Sequence, residues 1–443
     1  MKSKLLMTLT LSAILLFSGC YWNTPIIDLI SPPKLTREQT QVYNALINLK
    51  GSGLTLKYPK TGEFLSAFVF FPNAPDKAMV FYEQSGASSE PTLWLTFLER
   101  RSNIWVCAND ISFFATDIER VDFSNLGDSA RENIIISYSI AADKHLRVIA
   151  LTESGKHEEV YSGDYCLYHE IGDFDKSGVK TLMSINQSDV GEARVSFAGW
   201  NEGRFGVIYY TEMNPNATDY VRSTVGDSLL FLDYSQPDNF NTAIIAFRDS
   251  RRPRNMVFTR DVTLRDERLR LLVKQPNRFT AHAYSRDIDG DGTINVAGNR
   301  RFPGYNQEFF ANSDYARAAI WYKVIPSSPE MLDGELERLY YTYLGVNNDY
   351  VFFFPEAWEE QVTVTHNLES GEVTFWEYDR FVHESVHDVD TPLLGIIAIA
   401  KDEPRSTGDY TMFSTDYEHF NYYVRIYNES ITLDELHERL RIF

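Results

Sequence analysis

The chain has only three cysteines, little positive charge for its size and no apolar run long enough to span a bilayer. Each shortage removes a class of protein. The apolar stretch Leu5 to Phe17 holds thirteen residues, whereas a spanning helix needs about twenty. Lysine and arginine number 42 against 62 aspartates and glutamates, for a net charge of −20. A surface this acidic repels phosphate backbones and anionic headgroups, so nucleic acid and electrostatic membrane docking are not expected. No G-x-S-x-G, P-loop or dinucleotide fingerprint is present, and Cys107 and Cys166 lack a catalytic pattern nearby. The remaining histidines, apart from His383 and His387, are scattered singly. The sequence states an address more clearly than an activity.

That address lies in the first twenty residues. Lys2 and Lys4 precede the apolar stretch, and Phe17-Ser18-Gly19-Cys20 closes it with small residues before a cysteine. The pattern is that of a secretion signal. It resembles a bacterial lipoprotein signal, with Phe17 where leucine is usual. The resemblance implies that residues 1–19 are removed and that Cys20 is acylated, with palmitate among its chains. The protein would then be held on a bacterial cell membrane, facing the extracytoplasmic side. Two or three acyl chains hold stably where one does not. Losing Lys2 and Lys4 would take the charge from −20 to −22. Residues 20–34 read as a tether stiffened by Pro32-Pro33. A Cys107–Cys166 disulfide is permitted in such a compartment. Both cysteines sit in strand-like runs, IWVC and YCLY, and two separate buried thiols are an equal reading.

Aromatic residues make up 14% of the chain, and long β-branched runs accompany them. That composition favours sheet over helix. Thr36-Arg37-Glu38-Gln39 matches a capping box, and Val42, Leu46 and Leu49 follow at helical spacing, which predicts a helix to Lys50. From Leu65 short strands take over and repeat. Pro72, Asp122, Asp173, Asp233 and Asp287 align at spacings of 50, 51, 60 and 54 residues. Four short strands per unit at such a period are the signature of a β-propeller blade. Unrelated hairpins in a β-sandwich are the plainer alternative.

The register is lost near Glu335. ELERLYYTYL is compatible with a helix, six strand-like runs follow, and Thr432 to Leu440 carries a second capping box through Glu435. The expected fold is mainly β. Residues 35–330 would hold the first helix and a β-propeller-like body of four-stranded units, and 331–443 a smaller α+β domain.

Asp287-Ile-Asp289-Gly-Asp291-Gly292-Thr293-Ile-Asn295 is the strongest local motif. Alternate aspartates present carboxylates to one centre, Gly292 permits the sharp turn, and Thr293 offers its carbonyl. Asn295 completes an oxygen set suited to a hard cation such as Ca²⁺. Three carboxylates in one loop repel each other without a cation. The loop is not a full EF-hand, since its twelfth position is Gly298. A decayed copy occupies Asp173, Asp175, Ser177, Gly178, Val179 and Thr181. On these residues the chain resembles proteins with FG-GAP or VCBS-type repeats, the integrin-like propellers. GDFDKSG and DIDGDGTIN match the family's acidic loop, and VDFSNLGD is a weaker echo. The resemblance spans about Leu65 to Val324 and implies a structural Ca²⁺ that holds blades together.

His383-Glu384-Ser385-Val386-His387 matches H-E-x-x-H, a zinc signature when it lies on a helix. Its flanks, strand-like EVTFWEY and DVDTP ending in Pro392, favour a loop instead. The reading is of a non-catalytic, lipid-anchored binding or envelope-structural module with an unidentified protein or glycan ligand. The alternative is an extracytoplasmic hydrolase, glycosidase-like or zinc-dependent through His383, Glu384 and His387.

Overall fold

Both capping boxes form. Thr36 Oγ1 accepts from the Gln39 amide at 3.2 Å, and Gln39 Oε1 accepts from the Thr36 amide at 2.9 Å. They open α1 (Arg37–Lys50), which buries Val42 and Leu46. Thr432 and Glu435 make the reciprocal pair that opens α2 (Leu433–Arg439). In each case two helix amides without intrahelical partners are satisfied within four residues, so the start is settled locally.

The computed structural model describes residues 35–84, 92–153, 155–163, 165–187, 192–213, 217, 219–226, 229–235, 240–247, 259–262, 284–300, 302–305, 318–326, 334–345, 350–367, 370–402, 406–414, 419–429 and 431–442. Cys20 and the segments expected to be a signal (1–19) and a tether (20–34) lie outside them. Among the described residues the strands form six antiparallel sheets, mostly in chain order. The first holds β1 (Leu54–Leu56), β2 (Phe68–Phe71), β3 (Ala74–Gln84), β4 (Thr92–Arg101) and β5 (Ile104–Phe114). Next come β6 (Asp117–Asn125), β7 (Glu132–Ile140), β8 (Asp143–Leu151) and β9 (His157–Gly163). The third sheet is β10 (Cys166–Gly172), β11 (Thr181–Gln187), β12 (Ala193–Asn201) and β13 (Arg204–Met213). The fourth is β14 (Asp219–Val225), β15 (Leu229–Ser235), β16 (Phe240–Ala246) and β17 (Thr259–Val262). The second, third and fourth are four-stranded meanders of the propeller-blade type, and the protein is mainly β.

The fifth sheet starts with β18 (Asn295–Arg300) and β19 (Ala318–Pro326) and continues with β20 (Gly334–Gly345) and β21 (Tyr350–Phe353). β20 is the segment the sequence allowed as a helix. Tyr340, Tyr341, Thr342 and Tyr343 supply strand propensity, and pairing with β19 settles it. That pairing also joins residues on either side of position 330 in one sheet. The sixth sheet holds β22 (Val362–Asn367), β23 (Glu372–Glu377), β24 (Pro392–Ala400), β25 (Thr411–Ser414) and β26 (Phe420–Ile426). The chain then runs through α2 into β27 (Leu440–Ile442), which returns to the fifth sheet beside β21.

Register exposes a repeat that residue identity hides. Counting β1 and β2 together as the first strand of the first sheet, and the Arg286 bridge to Asn295 as the first strand of the fifth, the third strand meets the fourth across a bulge at one equivalent place in the first, third and fifth sheets: Phe97/Leu98, Phe197/Ala198 and Trp321/Tyr322. In each sheet the residue before the bulge is a buried large aromatic. Its partner on the second strand is Met79, Met183 or Ala297. Its partner on the fourth strand is Asn109, Tyr209 or Tyr340. A bulge re-aims the side chains beside it, and here it does so at the same step of three units.

The alignment of Asp122 and Asp233 with Asp173 and Asp287 is corrected. Asp122 lies within β6 and Asp233 within β15, whereas Asp173 and Asp287 lie in loops just before a second strand. Only the latter two are equivalent. By contact density the chain forms two compact units. One comprises Met1–Asp122, Ile136–Ala142 and Leu151–Glu158; the other comprises Phe123–Ile135, Asp143–Ala150 and Glu159–Phe443.

Candidate metal site

The loop 287–295 is closed at its base by a two-residue bridge. The Arg286 amide donates to the Asn295 carbonyl at 3.0 Å, and the Asn295 amide returns the bond at 2.9 Å. Ile288 is buried and packs with Trp321, Val351 and Phe353, which pins the loop while its aspartates face outward. Gly290 and Gly292 take left-handed backbone, φ +77 and +85, which lets the chain reverse between the carboxylates.

Each carboxylate oxygen has a partner. Asp287 Oδ1 accepts from the Gly290 amide at 2.7 Å and its Oδ2 from the Gly292 amide at 2.9 Å. Asp289 Oδ1 accepts from the Asp291 amide at 3.3 Å, and its Oδ2 from the Tyr340 hydroxyl at 2.8 Å. Asp291 Oδ1 accepts from the Thr293 amide at 2.6 Å, and Lys323 Nζ stands 3.6 Å from its Oδ2. The Thr293 contact, then Lys323, hold the Asp291 carboxyl below the usual carboxylate range. One oxygen from each aspartate lies within 4.8 Å of the others. Oxygens so spaced suit an ion with bonds of about 2.3–2.6 Å, and the donor set is all hard oxygen, so the residues fit Ca²⁺. Asn295 is fully buried and its Oδ1 accepts from the Ile288 amide at 3.1 Å, so it braces the loop from beneath.

The second acidic loop repeats three of the four internal amide bonds; Asp173 Oδ1, the counterpart of the oxygen that Gly290 holds, has no hydrogen-bond partner. Gly172 pairs with Thr181 as Arg286 pairs with Asn295. Asp173 Oδ2 accepts from the Gly178 amide at 2.8 Å, Asp175 Oδ1 from Ser177 at 3.1 Å, and Ser177 Oγ from Val179 at 3.3 Å. Phe174 is buried against Phe197 where Ile288 is buried against Trp321. The difference is chemical: Ser177 replaces the third carboxylate, so this copy carries less negative charge.

The H-E-x-x-H residues are not on a helix. They occupy the loop between β23 and β24, where the Asp379 amide donates to His383 Nδ1 at 3.0 Å. Asp388 Oδ2 accepts from the amides of Glu384 and Ser385 at 3.1 and 2.8 Å. The Val386 amide donates to the Gly304 carbonyl at 3.1 Å. This hydrogen-bonded turn does not place His383 and His387 on one helix face, which zinc binding by this motif requires. Among the described residues Asp287, Asp289 and Asp291 form the one candidate metal cluster of three or more such side chains. Cys107 and Cys166 are free thiols, and burial pushes Cys166 up to about 12, away from reactivity.

Three residues around the site were not legible in the motif: Tyr340 on β20, Lys323 on β19, and Arg441 on β27. Arg441 Nη1 donates to the Ile288 carbonyl at 3.4 Å. They lie far from the loop in sequence, and only sheet pairing brings them near.

No family model and no curated protein matches the chain. Solved structures similar to it include a Lactobacillus plantarum protein at 9% identity, covering 76% of this chain and 94% of that one, with TM-score 0.27. A Bacteroides uniformis protein provisionally named a 6-phosphogluconolactonase is 11% identical over 75% of this chain and 89% of that one, TM-score 0.28. An exo-β-1,3-galactanase from Phanerochaete chrysosporium is 12% identical over 80% of this chain and 81% of that one, TM-score 0.26. Scores this low carry no argument about activity. The description as a mainly β protein of blade-type sheets stands on the pairings and bulges above.

Proposed function

We propose that this protein is a lipid-anchored, extracytoplasmic bacterial module that binds or organises rather than catalyses, with one repeat loop stabilised by Ca²⁺. The observation that carries the proposal is the loop at Asp287, Asp289 and Asp291. Its three carboxylates are pre-arranged by backbone amides, and a partly decayed loop that keeps most of these hydrogen bonds occurs in the third sheet. A cluster of hard carboxylate oxygens held by backbone amides suits holding an ion. Thr293 through its carbonyl would complete the set, with Asn295 bracing it. The FG-GAP-like pattern supports the same assignment. The bilayer would be met through acylated Cys20, and the ligand would be a protein or glycan on the exposed loops.

The test is thermal melting of the purified protein with Ca²⁺ and with EDTA. Binding confined to the folded state adds about 2.7 kcal/mol at a hundredfold excess over Kd. Wild type should melt lower in EDTA, and an Asp289→Ala, Asp291→Ala variant should not respond. Identical wild-type melting in both conditions would remove the metal and leave an Asp-Gly turn.

A further inference from the structure

We infer that Tyr340 is the positioning residue of this loop, orienting Asp289 for a divalent cation. The inference rests on the Ca²⁺ reading of the loop and adds to it a residue that the motif does not contain. Both oxygens of Asp287 are held from inside the loop, by Gly290 and Gly292. Asp289 is held differently: its Oδ2 accepts from the Tyr340 hydroxyl at 2.8 Å, from a residue 51 positions away. That bond stops the carboxylate from rotating. A side chain already fixed in its binding rotamer gives up less conformational freedom when an ion arrives. Tyr340 is also neutral, so it orients the carboxylate without cancelling its charge, unlike Lys323 beside Asp291.

The internal repeat supports the assignment independently. Tyr340 pairs with Trp321 at the bulge of the fifth sheet, and Tyr209 pairs with Phe197 at the same place in the third. These are the two sheets with acidic loops. Tyr209 is buried and packs with Phe197 and Phe174 in the core beneath the third sheet's acidic loop. In the first sheet the same register position is Asn109, which lies beside no acidic loop and bonds the backbone of His157 instead. Tyrosine therefore occupies this step in both sheets that carry an acidic loop. The ring itself is fixed edge-on against Phe353 at 5.1 Å, so replacing only the hydroxyl leaves the packing in place.

The experiment uses the full chain with Tb³⁺ as a luminescent substitute for Ca²⁺, together with Ca²⁺ calorimetry. Tyr340→Phe should weaken Ca²⁺ binding roughly tenfold, the lower end of what loss of an outer-shell partner costs. It should also remove most of the tyrosine-sensitised Tb³⁺ emission while melting in EDTA like the wild type. Tyr210→Phe, at an exposed neighbour of Tyr209, should change none of these. Wild-type affinity and emission in Tyr340→Phe, with binding abolished in Asp289→Ala, would overturn the role of Tyr340 and leave the metal site standing. Absence of any Tb³⁺ or Ca²⁺ response in the wild type would overturn both.

Discussion

Asp233 accepts from both the amide and the hydroxyl of Ser285, at 2.8 and 2.7 Å. Thr242 Oγ1 adds a third bond to the same carboxylate at 2.5 Å, and Thr224 Oγ1 donates to the Ser285 carbonyl at 2.9 Å. Ser285 therefore contacts three strands of the fourth sheet, just before the bridge at Arg286 that closes the acidic loop. Both Asp233 and Ser285 are almost fully buried. Burial pushes the Asp233 carboxyl up, and the donors from Thr242 and Ser285 oppose that shift.

Replacing Asp233 by Ala leaves three buried donors unpaired. At about 1–3 kcal/mol for each such group, the loss should be roughly 3–5 kcal/mol after partial relaxation. Asp233→Asn keeps one acceptor and should lie between Ala and the wild type. Urea midpoints at unchanged m-value measure this, and an Asp233→Ala midpoint equal to wild type would show that the cluster is incidental.

Gly127 should not tolerate a side chain. Its φ is +75, and an added Cβ would lie 2.1 Å from the Trp200 carbonyl oxygen. The amides of Gly127 and Asp128 donate to the carbonyls of Lys180 and Trp200, so the backbone cannot retreat without losing those bonds. Gly127→Ala should cost more than about 3 kcal/mol and yield little folded protein. A Gly127→Ala protein with wild-type melting would contradict this close approach.

His157 lies flat on Phe97, with centroids 4.1 Å apart and planes at 8°. Burial, then Lys77, lower its pKa from 6.5 to about 4, against an opposing effect of Glu99. Between those values the unfolded chain binds a proton that the folded chain refuses. Stability from this group is therefore complete above pH 6.5 and is lost as pH falls toward 4, by at most about 3 kcal/mol. His157→Phe keeps the stack and removes the proton. The stability difference between wild type and variant, followed from pH 7 to 4, should shift against the wild type across that window, and a pH-independent difference would refute it.

Cys20→Ser should leave the precursor unprocessed or release the protein from bacterial membranes, because acylation requires that thiol. Fractionation with labelled palmitate reads both effects. A variant still wholly membrane-bound and labelled would end the lipoprotein proposal.

What the sequence determined by itself was whatever closes within a few residues. The boxes Thr36–Gln39 and Thr432–Glu435 satisfy helix amides over four positions, and both formed. The acidic loop brings its three carboxylates together over five positions, so it was legible down to the glycines that turn it. Strand runs such as LLGIIAIA and EVTFWEY were equally plain, because hydrophobic and β-branched residues carry their own preference for sheet. Tertiary structure decided what depends on pairing. ELERLYYTYL became β20 because β19 offered it a partner. Asp233 resembled Asp287 in spacing, yet register put it inside a strand, where its charge is buried among Thr242 and Ser285. Tyr340 met Asp289 only because a bulge at Trp321/Tyr322 sets the register of β20 against β19. H-E-x-x-H shows the same rule in reverse: the letters permit zinc, but hydrogen bonds from its amides to the Gly304 carbonyl and the Asp388 carboxylate hold them in a loop. Local hydrogen bonds can be read along the chain, whereas contacts between distant residues exist only once the strands have chosen their neighbours.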